Sequence, residues 1–333
     1  MMVKKRRLLL VFLVAALIFA APPGARAASL DLAYNNVGVS LGNSKRFTGL
    51  RFNFVDQRVE RINGLNVTFG KPGESPAGTI NGLSLALVGT DAAEINGINF
   101  ALIGASADRL TGISVGLIGV AAKDKAAGIF VGGIGLGGGS FSGVMVGGLG
   151  IGADVVKGLA VGLIGVGADD VEGVALGLVG VGGDTMRGFG VGGVGIGGKK
   201  LDGVFIGGVG VGADTIKGIG LGGIGIGGEK LTGFFAGGVG CGAEDLTGIG
   251  LGGLGVGADK VRGVALALGY FESREARWFT AAAFNRVKLD MVGVQLGLVN
   301  IASQLQGVQL GVLNCVGNNP AWARVLPLIN IHL

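Results

Sequence analysis

Aliphatic residues recur along this chain in pairs. In the segment Gly158–Glu172, Leu159 and Val161 form one pair, Ile164 and Val166 a second, and Val171 stands alone. Within a pair the spacing is two, the period of side chains on one face of a β-strand, and between pairs the phase slips. Small residues stand at the slips, as in Gly192-Gly193 and Gly197-Gly198, and glycine there permits the backbone angles of a corner. The block repeats every fifteen residues from Gly128 through Gly143 and Gly158 to Gly263. The register extends upstream to Gly112, Gly97, Gly82, Gly64 and Gly49 and downstream to Gly293 and Gly307.

Positions are counted here from the anchor glycine as zero. The pattern puts aliphatic side chains inward at +1, +3, +6, +8 and +13 and predicts an all-β fold, a triangular parallel β-solenoid of about fifteen residues per coil. The alternative is an antiparallel outer-membrane β-barrel with one strand per repeat. In its favour, Gly190, Phe205, Gly220, Phe235 and Gly250 alternate at +2 with the period of a hairpin. Against it stand the phase slips and the likeness of successive turns (Ala168-Asp-Asp, Ala213-Asp-Thr, Ala258-Asp-Lys), which a membrane would make alternate.

The chain divides on this reading into a signal peptide (1–27), an N-terminal cap (28–48), a repeat domain (49–315) and a C-terminal cap (316–333). The repeat domain carries a short insertion near 71–76 and an irregular insertion at 269–292. The signal reading rests on Lys4 to Arg7, the apolar run Leu8 to Ala21, and the small-x-small site Ala25-Arg26-Ala27. It places the protein in the periplasm, the outer membrane or the cell surface.

Composition narrows the functions. Glycine supplies 73 of 333 residues, but 49% hydrophobic residues exclude a disordered linker, and scarce proline without a three-residue glycine period excludes collagen. The net charge of +5 belongs to the leader, which holds five of the 27 basic residues, so the remainder balances 22 acidic ones and offers no stripe for nucleic acid. With one histidine, His332, no nucleophilic triad can be assembled, and the chain reads as a non-enzyme without a cofactor. Carboxylates recur at +11 (Asp154, Asp169, Asp184, Asp214, Glu229, Glu244, Asp259) and Gly165 to Val171 partly resembles a calcium nonapeptide repeat. The period differs and lysines interrupt the neighbouring column, so a solvated turn is the better reading and no metal site is assigned. Cys241 and Cys315 both fall at +8 and read as small core residues, too far apart for a disulfide.

Two candidate surfaces emerge. Glycine at +7 and the mostly apolar +2 column suggest smooth faces for contact with the envelope or for self-association. The irregular stretch gathers Tyr270, Arg274, Glu275, Arg277 and Trp278 in an expected loop, a candidate interaction site.

The segments Gly293-Val-Gln-Leu-Gly-Leu-Val-Asn300 and Gly307-Val-Gln-Leu-Gly-Val-Leu-Asn314 resemble the Gly-x-Gln-x-Gly-Leu-x-Asn repeat of a bacterial surface-repeat family of unknown function. Arg46 to Asn66 and the ending from Gly317 to His332 resemble the same proteins, whereas the central units carry Gly or aliphatic residues where Gln and Asn would stand. The resemblance implies an exported, envelope-associated protein and brings no catalytic or binding residue. The expectation is a structural or adhesive element, with a barrel channel or anchor as the alternative.

Overall fold

The structure is a computed structural model that describes residues 29–70, 72, 73 and 77–333. The expected signal peptide lies outside the described residues. The chain divides between Lys157 and Gly158 into two units, and each is a parallel β-solenoid.

In the second unit, strand Gly180–Gly192 pairs in parallel with Gly195–Gly207, every residue facing the one fifteen ahead: Gly180 with Gly195, Met186 with Leu201, Gly192 with Gly207. The same register joins Gly210–Gly222, Gly225–Gly237, Gly240–Gly252 and Gly255–Ala267. Parallel neighbours exclude the antiparallel barrel, whose successive strands would run in opposite directions. In the first unit the pairing of Arg61–Thr68 with Thr79–Ala86 sets Gly64 against Gly82, so the stack continues across the three extra residues of this repeat.

Burial corrects the expected orientation of the strands. Positions +8 and +13 are inward as expected: Val166 is 2% exposed, Leu201 and Leu231 0%. Positions +1, +3 and +6 are not. Phe189 and Ile219 at +1 are 38% and 40% exposed, and Ile164, Val194 and Ile224 at +6 are 53%, 51% and 53%. The +2 column, expected outside, is the core of this side, with Ala160, Ala175 and Phe235 at 0% and Phe205 at 1%. A pair spaced by two lies on one face of a strand but does not say which, and here both faces are apolar.

The +2 alternation that favoured a barrel is a packing device. A Cβ on Gly190 would stand 2.9 Å from the Phe205 ring and one on Gly220 3.0 Å from Phe235, so each ring extends over the glycine of the coil before it. The anchor glycines are equally constrained. Gly188 and Gly218 have φ of +123° and +114°, and a Cβ on either would lie 2.2 Å or 2.1 Å from the carbonyl oxygen of the anchor one coil earlier. Only glycine fits both the angle and the contact.

Each unit carries one antiparallel strand pair at a chain terminus. Ser29–Tyr34 folds back on Val37–Gly42, which pairs in parallel with Arg46–Asn53. Beneath lies a buried polar cluster: Arg51 donates to Asn66 Oδ1 at 2.7 Å and Asn43 Oδ1 at 2.8 Å, and pairs with Asp56, which also accepts from Asn53 and Thr68. At the other end Val325–His332 lies antiparallel to Val299–Val316. There the Gln and Asn of the repeats turn inward. Asn285 donates to Asn300 at 2.9 Å, Asn300 to Asn314 at 2.8 Å, and Gln309 to Gln295 at 2.6 Å, all these side chains at 0% exposure.

Candidate functional site

The expected irregular insertion at 269–292 is a regular coil. Strand Tyr270–Ala281 pairs residue for residue with Gly255–Ala267, Tyr270 against Gly255 and Trp278 against Gly263. The break in register comes later, as a bulge where this strand meets Phe284–Leu296. Trp278 takes the anchor position at φ +104°, a backbone region that disfavours side chains, and its absent glycine is what hid the repeat. Tyr270, Arg274, Glu275, Arg277 and Trp278 therefore sit on a strand, not a loop.

That coil distributes the five residues around its circumference. Tyr270 occupies the +7 corner, where its ring stacks on Phe284 at 5.5 Å and its hydroxyl donates to Glu272. This bond, with some desolvation, raises the phenol above its ordinary value, while Lys288 and Tyr270 hold the Glu272 carboxyl below its own. Arg274 Nε lies 3.4 Å from Asp259 on the charged side. Trp278 is 74% exposed at the anchor position, away from Tyr270 and Arg274 along the strand.

The acidic column behaves as solvated surface. Lys199 at +11 donates to Asp184 of the coil before it at 2.7 Å, an exposed pair. Cys241 is buried, and desolvation pushes its thiol up to about 11; Cys315 is half-buried, because from the fourteen-residue step that sets Tyr270 against Phe284 onward +7 and +9 turn inward, as Asn285 and Val287, then Asn300 and Ala302, then Asn314 and Val316 do.

The surface that stands out is the side carrying +1 and +3. In the second unit its outward residues run Val174 and Leu176, Phe189 and Val191, Val204 and Ile206, Ile219 and Leu221, continuing to Val308 and Leu310, with no charged or polar side chain in either column. The +6 corner adds Val194, Val209, Ile224, Val239 and Leu254, each 45–65% exposed. From the Gly158 coil to the Gly248 coil charges fall at +11, +12 and +14; the next two coils add Glu272, Arg286 and Lys288 at +8 to +10.

The capping strands keep this pattern although they lie outside the repeat. Ile331 and Ile329 face Val308 and Leu310 and are 46% and 47% exposed, while Asn330 between them is buried. In the first unit Leu30, Leu32 and Tyr34, 63%, 69% and 83% exposed, pair with Leu41, Val39 and Val37. Asp31, between them, points to the other face of the strand and accepts from Ser40 and Ser44 at 2.6 Å. Farther along the first unit the same side opens into an apolar groove of about 500 Å³ lined by Phe69, Leu87, Phe100, Leu102 and Leu117. A second, polar cavity of about 700 Å³ lies by Arg46, Glu60, Arg61 and Asn63, where Arg46 and Glu60 pair with each other.

No protein-family model, curated protein or solved structure matches the chain.

Proposed function

We propose that the chain is an exported, non-enzymatic repeat protein of the bacterial cell envelope, a structural or adhesive element whose working surface is its apolar side. The observation that carries this reading is the unbroken run of aliphatic and aromatic residues at +1 and +3, kept by strands outside the repeat. A monomer in water rarely exposes an apolar patch beyond a few hundred Å² without a partner for it. The basic and apolar leader with its small-x-small site supports export, and the resemblance of Gly293 to Asn314 to surface repeats supports the envelope. The smooth faces expected at +2 and +7 are replaced in this role by +1, +3 and +6.

The test is fractionation of cells expressing the full chain, with the N-terminus of the recovered protein determined by mass spectrometry. Cleavage after Ala27 and recovery with the envelope are expected. Full-length protein in the cytoplasm would overturn the reading.

A further inference from the structure

The apolar side of the second unit has the size and the composition to bind an identical surface. Eleven rows face outward there, from Val174 and Leu176 to Val308 and Leu310 and then Ile331 and Ile329. At a coil spacing of about 4.8 Å and a strand rise of about 3.3 Å per residue, this side measures about 50 Å by 13 Å. Two such surfaces in contact would bury about 1,300 Å², within the range of stable protein–protein interfaces.

We infer that the partner of this side is a second copy of the chain, packed face to face so that the +1 and +3 columns of one copy lie against those of the other. The inference rests on the reading of this side as the working surface and adds the identity of what covers it. Side chains in these columns stand in rows at the coil spacing, and β-branched or aromatic rows of that kind interdigitate when two sheets meet. Three rows carry phenylalanine at +1, Phe189, Phe234 and Phe279, separated each time by two rows of Val or Ile. The columns hold no charge that a like charge on the copy would oppose, and the charged +11 and +12 positions lie on another side of the coil, in water. Backbone groups on this side bond to the coils above and below, so only side chains meet the partner.

Ile249, 39% exposed in the middle of the side, is the position to change. Purified full chain is examined by sedimentation equilibrium as it stands and with Ile249→Lys. A dimer is expected for the parent, with dissociation favoured roughly 100-fold or more in the variant, since like charges brought together at an interface cost several kcal/mol. A second measurement covers misfolding of that variant. In a background of Cys241→Ala and Cys315→Ala, Ile249→Cys is expected to oxidise to a disulfide-linked dimer, whereas Asp214→Cys on the charged side is not. A parent chain that stays monomeric at about 100 μM and forms no Ile249→Cys dimer overturns the inference. So does a monomer that floats with phosphatidylglycerol–phosphatidylethanolamine vesicles and loses flotation with Ile249→Lys, which would assign the side to a bilayer. Self-association is read on purified protein and export on cell fractions, so either can fail while the other holds.

Discussion

The ring of Phe205 occupies the space where Gly190, one coil earlier, has no side chain: a Cβ there would come within 2.9 Å of Phe205 Cδ1 and 3.2 Å of Ile196 Cδ1. From Gly190 to Gly250 the alternation of Gly and Phe at +2 thus fills the interior with one ring per two coils. Gly190→Ala is expected to destabilise by about 1–3 kcal/mol through overpacking, and Phe205→Ala by about 3–5 kcal/mol through the cavity left. In the double variant the added methyl enters the vacated space. Its loss, measured by urea denaturation, should fall short of the sum by about 0.5–3 kcal/mol; full additivity would mean the two residues are not nested.

Trp278 holds a positive φ where the other coils of this register have glycine. Trp278→Gly relieves strain of about 1–3 kcal/mol, offset by about 0.5–1 kcal/mol of added chain entropy, so the midpoint of denaturation should rise. The reverse change at a regular anchor, Gly218→Ala, meets both φ +114° and the Gly203 carbonyl 2.1 Å away. It should lower stability by more than about 2 kcal/mol.

Asn300 links Asn285 and Asn314 and donates to the Leu310 carbonyl at 3.0 Å. Asn300→Leu leaves the buried Asn314 Oδ1 without its donor, while the Asn285 amide keeps the Ala282 and Leu296 carbonyls, so the expected cost is about 1–3 kcal/mol for the one group left unpaired. Hydrogen exchange should show the loss concentrated in Phe284–Leu296 and Val299–Val316.

Asp31 tests the N-terminal closure through pH. Desolvation pushes its carboxyl up, but hydrogen bonds from Ser40, Ser44 and Ser29 and the charge of Arg51 together outweigh this and hold it below its ordinary value. A group depressed in the folded state contributes stability above its unfolded value and loses it as pH falls through the folded one. Protection of Ser29–Tyr34 from hydrogen exchange should therefore decline on acidification below the ordinary carboxylate range. Asp31→Asn should flatten that dependence.

Cys241, its thiol pushed up to about 11 by burial, should resist alkylation at pH 8 until the chain unfolds. Labelling of Cys241→Ala and Cys315→Ala variants by mass spectrometry assigns each thiol; rapid labelling at Cys241 in folded protein would contradict its inward position.

The one-dimensional pattern marked the repeat and favoured a coil over a barrel, because slips between short pairs suit corners better than one long strand, and the parallel pairing itself came from the structure. It also placed Val166 and Val171 inward, since charged or small neighbours flank them. Which way Leu159, Val161 and Ile164 point was decided only in three dimensions. Alternation identifies a strand's two faces but orients them only when one is polar, and on this side the outward face is as apolar as the inward one. The coil at Trp278 was hidden for a related reason: register is kept by backbone hydrogen bonds to both neighbours, which hold even where the marking glycine is replaced. The inward Gln and Asn were legible as a motif but not as a core, because a buried carboxamide is tolerated only when the coils above and below supply its partners, and only the stacked structure shows that Asn285, Asn300 and Asn314 do so for one another.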